Sequence, residues 1–312
     1  MTSLALLLVL LAAVLHATWN FCAKRAGGGL PFVYLVGLII CSLYVPVVGV
    51  YLLLHDVVLS WQAVVWIGGS GVLKTAYSLF LQRGYRTGDF SLIYPLARGT
   101  GPLLSTLAAI VILGERPTPL AMAGDAVIIA SIFWLTGGWD RVAGLVRSRR
   151  SVRTGRGAAA AAASVGGERS SPVYSSFNYG LMSGVFIAAY TLWDRQGVAG
   201  LAVAPLLYDA GTAFTQLALL TPFALRRRGE VARHWREHRR YALGVALLSP
   251  VAYVLVLTAL TFTPVSYIAP AREVSIVIGA FIGARYLKEA HGARRLWAAV
   301  AMSAGVIALA VG

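Results

Sequence analysis

The sequence predicts an all-α integral membrane protein, with ten transmembrane helices arranged as two inverted five-helix repeats around a central cavity. Three observations predict it: a shortage of charge, ten apolar stretches long enough to span a bilayer, and a set of polar residues that recurs at one offset along the chain.

Of the 312 residues, 58% are hydrophobic and 12% charged, whereas a soluble globular domain carries about 25% charged residues. So few charges cannot cover this much apolar chain in water. Spanning the hydrocarbon core takes roughly 20 residues of helix. Inside lipid every backbone N–H and C=O needs an internal partner, which favours helices over open sheet. Apolar segments fall at 3–23, 31–54, 61–82, 90–113, 118–137, 177–193, 202–225, 241–262, 265–287 and 293–311. Most connections are short, so neighbouring helices are expected to run antiparallel. Residues 138–176 differ. They hold Arg147, Arg149, Arg150, Arg153 and Arg156, an alanine run from Ala158 to Ala163, then Gly, Ser and Pro. No apolar periodicity survives there, and the stretch reads as a flexible linker. It divides the chain into units at 1–137 and 177–312.

The formal net charge is +15, and its distribution carries the meaning. Lys74, Arg98 and Arg272 lie inside apolar spans. Apart from these and from Arg116 and Arg195, every Lys and Arg falls in or at the edge of the connections after helices 1, 3, 5, 7 and 9. One of these, Arg226 to Arg240 (RRRGEVARHWREHRR), reads as a basic loop that also suits anionic headgroups. The positive-inside rule places these connections in the cytoplasm and both termini outside. The same clustering argues against nucleic acid as a partner. Cys22 and Cys41 lie in apolar stretches as small hydrophobes, and nothing has metal-ligand or disulfide spacing. No metal or cofactor is expected, nor is any catalytic residue. Leu4 to Leu15 resembles a signal-peptide core, but no Lys or Arg precedes it, so the segment is expected to be a retained first helix.

The repeat is carried by particular residues. His16, Trp19 and Asn20 in helix 1 are matched by Tyr190, Trp193 and Asp194 in helix 6, each 174 positions later. Ala97-Arg98 and Ala271-Arg272 match at the same offset, as do Glu115 and Glu289. Ser-x-Ile-x-Pro occurs at Ser91 to Pro95 and again at Ser266 to Pro270, shifted by one more. Five helices per unit is an odd number. The second unit therefore enters the membrane from the opposite side, the inverted repeat that recurs among carriers with a midplane site.

Three runs, HATWNFCAKRAG in helix 1, SLIYPLARGTGPLLSTLAAIVILGERPT across helix 4 and SYIAPAREVSIVIGAFIGARYLKE across helix 9, resemble the EamA-type drug/metabolite transporter superfamily. The resemblance covers nearly the whole chain, as two EamA-like units. It implies ten helices around a central cavity and transport of small metabolites, often export, in a bacterial inner membrane. Members of the superfamily are commonly drawn with both termini cytoplasmic, opposite to the charge distribution here.

A charge deep in a bilayer costs at least roughly 2.5–3.5 kcal/mol on insertion scales, so such residues face the bundle interior. His16, Asn20 and Lys24 share one face of helix 1, with Trp19 beside it. Tyr190, Trp193 and Asp194 mirror them in helix 6, though Asp194 and Arg195 also suit a water interface. Lys74, Tyr77, Ser78 and Gln82 share a face of helix 3. Helix 4 offers Tyr94, Arg98 and Ser105; helix 8 offers Tyr253; helix 9 offers Arg272 and Glu273. Arg98 and Arg272 lie about 12 Å into their spans at 1.5 Å per residue. As consecutive helical residues, Arg272 and Glu273 are expected to point to different faces. Pro95 and Pro270 remove a helix hydrogen bond each and are candidate hinges. Gly68, Gly69 and Gly71 suit close helix packing.

These residues predict alternating access. Trp19, Trp193, Tyr77 and Tyr253 would wall a cavity with His16, Asn20, Tyr94 and Tyr190. Lys74, Arg98 and Arg272 would favour amino acids or organic acids, and Asp194 or Glu273 would accept a coupling proton. The expected partners are a small-molecule substrate and the lipid bilayer, with the chain a monomer or a homodimer. The alternatives are a multidrug or cationic-compound efflux carrier, and a lipid-modifying membrane enzyme, for which the scattered histidines supply no catalytic cluster.

Overall fold

The computed structural model describes residues 1–27, 29–87, 90–135, 172–275, 278 and 292–312. The linker reading of 138–176 lies largely outside these residues, as do Glu289 and the expected ninth span beyond Ser275 except residue 278. Of Lys24, Gln82, Tyr94, Pro95 and Arg98, only the backbone is described.

The described residues form ten α-helices and no strand: α1 (Ser3–Arg25), α2 (Leu30–Leu54), α3 (Trp61–Thr87), α4 (Phe90–Ile112), α5 (Pro119–Leu135), α6 (Pro172–Arg195), α7 (Pro205–Leu225), α8 (Arg228–Phe262), α9 (Val265–Ala271) and α10 (Gly292–Val311). A π-helical turn, Gln196–Gly200, follows α6. Among the described residues, four segments, Ser3–Ala23, Leu30–Leu54, Trp61–Leu81 and Arg228–Phe262, are long and apolar enough to cross a membrane. Leu7, Leu53, Val111 and Ile307 stand exposed on the outside, a surface suited to hydrocarbon.

Local sequence sets the boundaries. Pro31 and Pro205 open α2 and α7 at matched places 174 residues apart, where a missing N–H costs nothing. Gly114 ends α4 with φ 67°, and the Glu115 N–H reaches the Ala109 carbonyl at 3.2 Å. The left-handed glycine turns the chain back over the end of the helix. It aims the Glu115 carboxylate at the start of α9, where it accepts from the Val265 and Ser266 N–H groups at 2.8 and 2.9 Å.

Two expectations are corrected here. The basic stretch 226–240 is mostly helix: α8 begins at Arg228 and bends where His238 leaves helical geometry, at φ −127°. Its Arg, Glu and Ala residues are adequate helix formers, and no proline interrupts it before Pro250. The ninth span does not run on as one helix. α9 stops at Ala271, one residue after Pro270, and Arg272 and Glu273 form a turn. α4, in contrast, continues through Pro95.

Helices from the two units pack mainly on each other: α1 on α8, α2 on α7, α3 on α6 and α7, α4 on α6, and α5 on α10. Small residues bring the backbones close. A Cβ on Gly71 would meet Thr215, one on Gly101 would meet Ile187, and one on Gly124 would meet the Gly305 carbonyl. Gly69 faces the Trp193 ring in the same way, whereas Gly68 faces open space. Directions follow from paired contacts. Trp66 lies beside Trp193 and Phe80 beside Tyr179, so α3 and α6 are antiparallel. Tyr44 meets Asp209 and Tyr34 meets Thr221, so α2 and α7 are antiparallel as well. Ile67 meets Gly211 and Ser78 meets Gln216, so α3 and α7 run parallel. Odd and even helices therefore point opposite ways wherever these contacts report.

Candidate functional site

The centre of polar chemistry is Asp194, the penultimate residue of α6, which is fully buried. The Lys74 ammonium on α3 lies 3.2 Å from its Oδ2, and the Tyr253 hydroxyl on α8 donates to the same oxygen. Oδ1 accepts from the Ser70 hydroxyl at 2.5 Å and has the Tyr208 hydroxyl at 3.1 Å. Four donors from α3, α7 and α8 thus converge on one carboxylate, which offers about four lone-pair sites. A buried ion pair survives only when its other hydrogen-bonding capacity is filled, and the hydroxyls fill it.

Aromatic rings wall this pair. The Lys74 ammonium sits 4.1 Å from the centre of the Tyr253 ring and 5.9 Å from that of Tyr190, a geometry in which ring quadrupoles attract a cation. Tyr77 meets Tyr190 edge-on at 5.9 Å. Trp193 packs on Trp66 at 4.0 Å and donates its indole N–H to the Trp66 carbonyl at 2.7 Å. On α7, next to Tyr208, Asp209 accepts from the Tyr44 hydroxyl of α2 at 2.6 Å. Both Lys74 and Asp194 lie within electrostatic reach of Asp209. A cavity of about 250 Å³ is lined among others by Tyr51, Asp56, Ala63, Val203 and Leu207. It lies between the α2–α3 and α6–α7 connections, at the end of the bundle opposite the Arg-rich ones.

The EamA-like transporter family matches the chain twice, over residues 3–137 and 176–311. The chain belongs to the EamA-like transporter family. A crystal structure of another protein, 17% identical, superposes with a TM-score of 0.71 over 99% of each chain, a likeness of fold alone. No curated protein matches in sequence. This EamA-like chain is therefore an all-helical, multi-pass membrane protein of the drug/metabolite transporter superfamily, built on two family repeats.

Within this EamA-like transporter, the residues singled out from sequence fall into groups. Lys74, Tyr77, Tyr190, Trp193, Asp194 and Tyr253 come together as described. Asp194 is fully buried, just before the π-helical segment that follows α6. Arg272 and Glu273 are 4% and 1% exposed and face each other, Nε to Oε1, at 3.4 Å. Arg272 keeps helical φ/ψ, −57° and −30°, so it is the length of the two side chains that lets their tips meet from consecutive positions. Arg272 also lies within electrostatic reach of Tyr253. His16 and Trp19 pack edge to face at 4.8 Å, while the Asn20 amide donates to the His16 carbonyl of its own helix at 2.6 Å. Trp19 packs with Phe32, Ala242 and Val245 in an apolar cluster of α1, α2 and α8. Tyr94, Pro95 and Arg98 lie on α4, their side chains outside the described residues.

Ser70, Trp66, Tyr208, Tyr44 and Asp209 escaped the sequence reading. Trp66 and Ser70 precede Lys74 by eight and four residues, so extending its helical face backwards reaches them. Asp209 breaks the apolar run of the seventh span, and the cost that flagged Lys74 flags it equally. Tyr44 and Tyr208 carry no such signal, because a tyrosine in an apolar helix is ordinary packing.

Proposed function

We propose that the chain is a ten-span secondary transporter of the bacterial inner membrane, exporting small metabolites such as amino acids or organic acids by alternating access. One observation carries this reading: the Lys74–Asp194 pair, buried between α3 of the first repeat and α6 of the second and ringed by Tyr190 and Tyr253. A charge pair on the seam between two units responds to their relative movement. The alternation of helix direction supports an inverted relation between the repeats, 1–137 and 177–312, joined by the linker. Pro270, beside the turn that ends α9, supports a hinge there, with Pro95 as its partner on α4. Asp194 is the candidate proton acceptor, since protonation would release Lys74; Glu273 is placed to release Arg272 in the same way.

Amino acids are favoured over simple acids. Lys74 and Arg272 each already face a carboxylate, so neither is an open anion receptor. The test is flux of a panel of amino acids and organic acids in proteoliposomes. Replacing a buried pair by neutral residues of similar size is often nearly neutral for stability. The double variant Lys74→Met, Asp194→Asn is therefore expected to keep its melting temperature and lose flux. Retained flux would make the pair structural only and remove it from the transport path.

A further inference from the structure

Proposing a transporter leaves open what the solute must carry, and the chamber's charge count bears on that. Asp194 has a donor for each of its lone-pair sites: Lys74, Tyr253, Ser70 and Tyr208. Lys74 is neutralised by it, and Arg272 by Glu273. Asp209 is different. Tyr44 is its one hydrogen-bond donor among the described residues, the residue is partly exposed, and Lys74, the cation within its electrostatic reach, is already paired with Asp194. A carboxylate with acceptor capacity to spare, among aromatic rings in low dielectric, attracts a cation. The neighbouring cavity agrees. Tyr51 lies two helical turns, about 10 Å, beyond Tyr44 along α2, and the one charged residue lining that cavity is Asp56. Among the described residues, neither Asp56 nor Asp209 forms a salt bridge.

We propose that Asp209 receives the positively charged amino group of the solute, so that the chamber selects amine-bearing small molecules. The inference rests on the transporter reading and names the substrate class for it. Tyr44 holds the carboxylate in place through one oxygen, leaving the other for the ammonium N–H donors, and Asp56 draws cations towards the cavity.

The full chain, purified in detergent, is melted with three probes of one aromatic skeleton: phenylalanine, 2-phenylethylamine, which lacks the carboxylate, and 3-phenylpropanoate, which lacks the amine. The two amines are expected to raise the melting temperature by mass action, and the acid to leave it unchanged. Asp209→Asn keeps an acceptor for Tyr44 and is expected to weaken amine binding about tenfold or more, the scale of losing one charge-assisted hydrogen bond. Should that variant fold poorly, Tyr44→Phe serves, since it leaves the carboxylate and should still bind both amines. Stabilisation by 3-phenylpropanoate equal to that by the amines would overturn the proposal. So would unchanged amine affinity in Asp209→Asn, or no stabilisation by either amine. An Asp209-dependent rise in melting temperature on acidification alone, indifferent to amines, would identify a proton site and overturn it too. Flux in proteoliposomes separates the two layers. Transport of the acid but not the amines sinks this inference and leaves the transporter standing. Asp209-dependent binding of amines without flux of any probe does the reverse.

Discussion

The α3–α6 seam and the α1–α8 seam occupy matched places in the two repeats yet differ in chemistry. At the first, Asp194 is enclosed by Lys74, Ser70, Tyr208 and Tyr253. At the second, the residue 174 positions before Asp194 is Asn20, whose amide is occupied within its own helix. The residues 174 beyond Lys74 and Ser70 are Leu248 and Gly244, and Cys22 packs against Gly244. Trp19 and Trp193 keep the aromatic frame at both. A duplicated fold supplies the geometry twice, but burying ions is costly enough that the second seam is apolar. Charge at one seam alone gives the chamber a polar side and a greasy side.

The largest effect expected from this contrast is at the matched pair itself. Asp194→Ala leaves the Lys74 ammonium buried without its partner, which costs about 3–5 kcal/mol and should abolish flux. Asn20→Ala removes one intrahelical hydrogen bond and should cost no more than about 1 kcal/mol. Thermal melting in detergent reads both. Equal losses would show that the two seams are energetically alike and that the asymmetry has no weight.

A smaller contrast lies within α3. A Cβ on Gly69 would sit 2.5 Å from Trp193 Cζ2, and that ring is pinned by its bond to the Trp66 carbonyl. Gly69→Ala is expected to cost about 1–3 kcal/mol through overpacking and to impair flux by displacing Asp194. Gly68→Ala meets nothing and should be neutral or slightly stabilising, as alanine is the better helix former by about 1 kcal/mol. A melting curve for each separates them; a damaging Gly68→Ala would undo the assignment of faces.

The fold was largely legible because the bilayer simplifies the reading: length and apolarity alone mark helices, and the 174-residue offset of Asn20 and Asp194 marks the repeat. Half of the site was legible by the same rule, since Lys74 and Asp194 are charges in apolar runs. The hydroxyls of Ser70 and Tyr208 were not, because such groups become informative only once a neighbouring helix places a charge beside them. The pairing of Arg272 with Glu273 was hidden because spacing fixes where adjacent side chains leave the backbone, not where their long tips meet. The end of α9 was hidden too: periodicity assumes a continuing helix, and nothing local announced that it would end one residue after Pro270. The helical start of α8 was hidden by its charge, which reads as loop although its residues tolerate helix.

Glu115 joins α4 of the first repeat to the start of α9 in the second, at the same end of the bundle as Asp194. Glu115→Gln keeps one carbonyl acceptor and loses the charged one, so the melting temperature should fall by the equivalent of about 1–2 kcal/mol. An unchanged melting curve would show that water replaces the contact and that the join is loose.

The smallest expected effect has the opposite sign. Asp125 on α5 is 5% exposed and lies beside Thr106 of α4, with no salt-bridge partner among the described residues. No acid stands at the matched position, Ala299. A buried carboxylate without a counter-ion opposes folding, so Asp125→Asn should raise the melting temperature slightly, by the equivalent of about 1 kcal/mol, with flux unchanged. Asp194→Asn, the same chemical change at the chamber, should lower both. If Asp125→Asn instead lowered stability or stopped flux, the α4–α5 contact would hold a second charged centre, and the division into one polar seam and apolar remainder would fail.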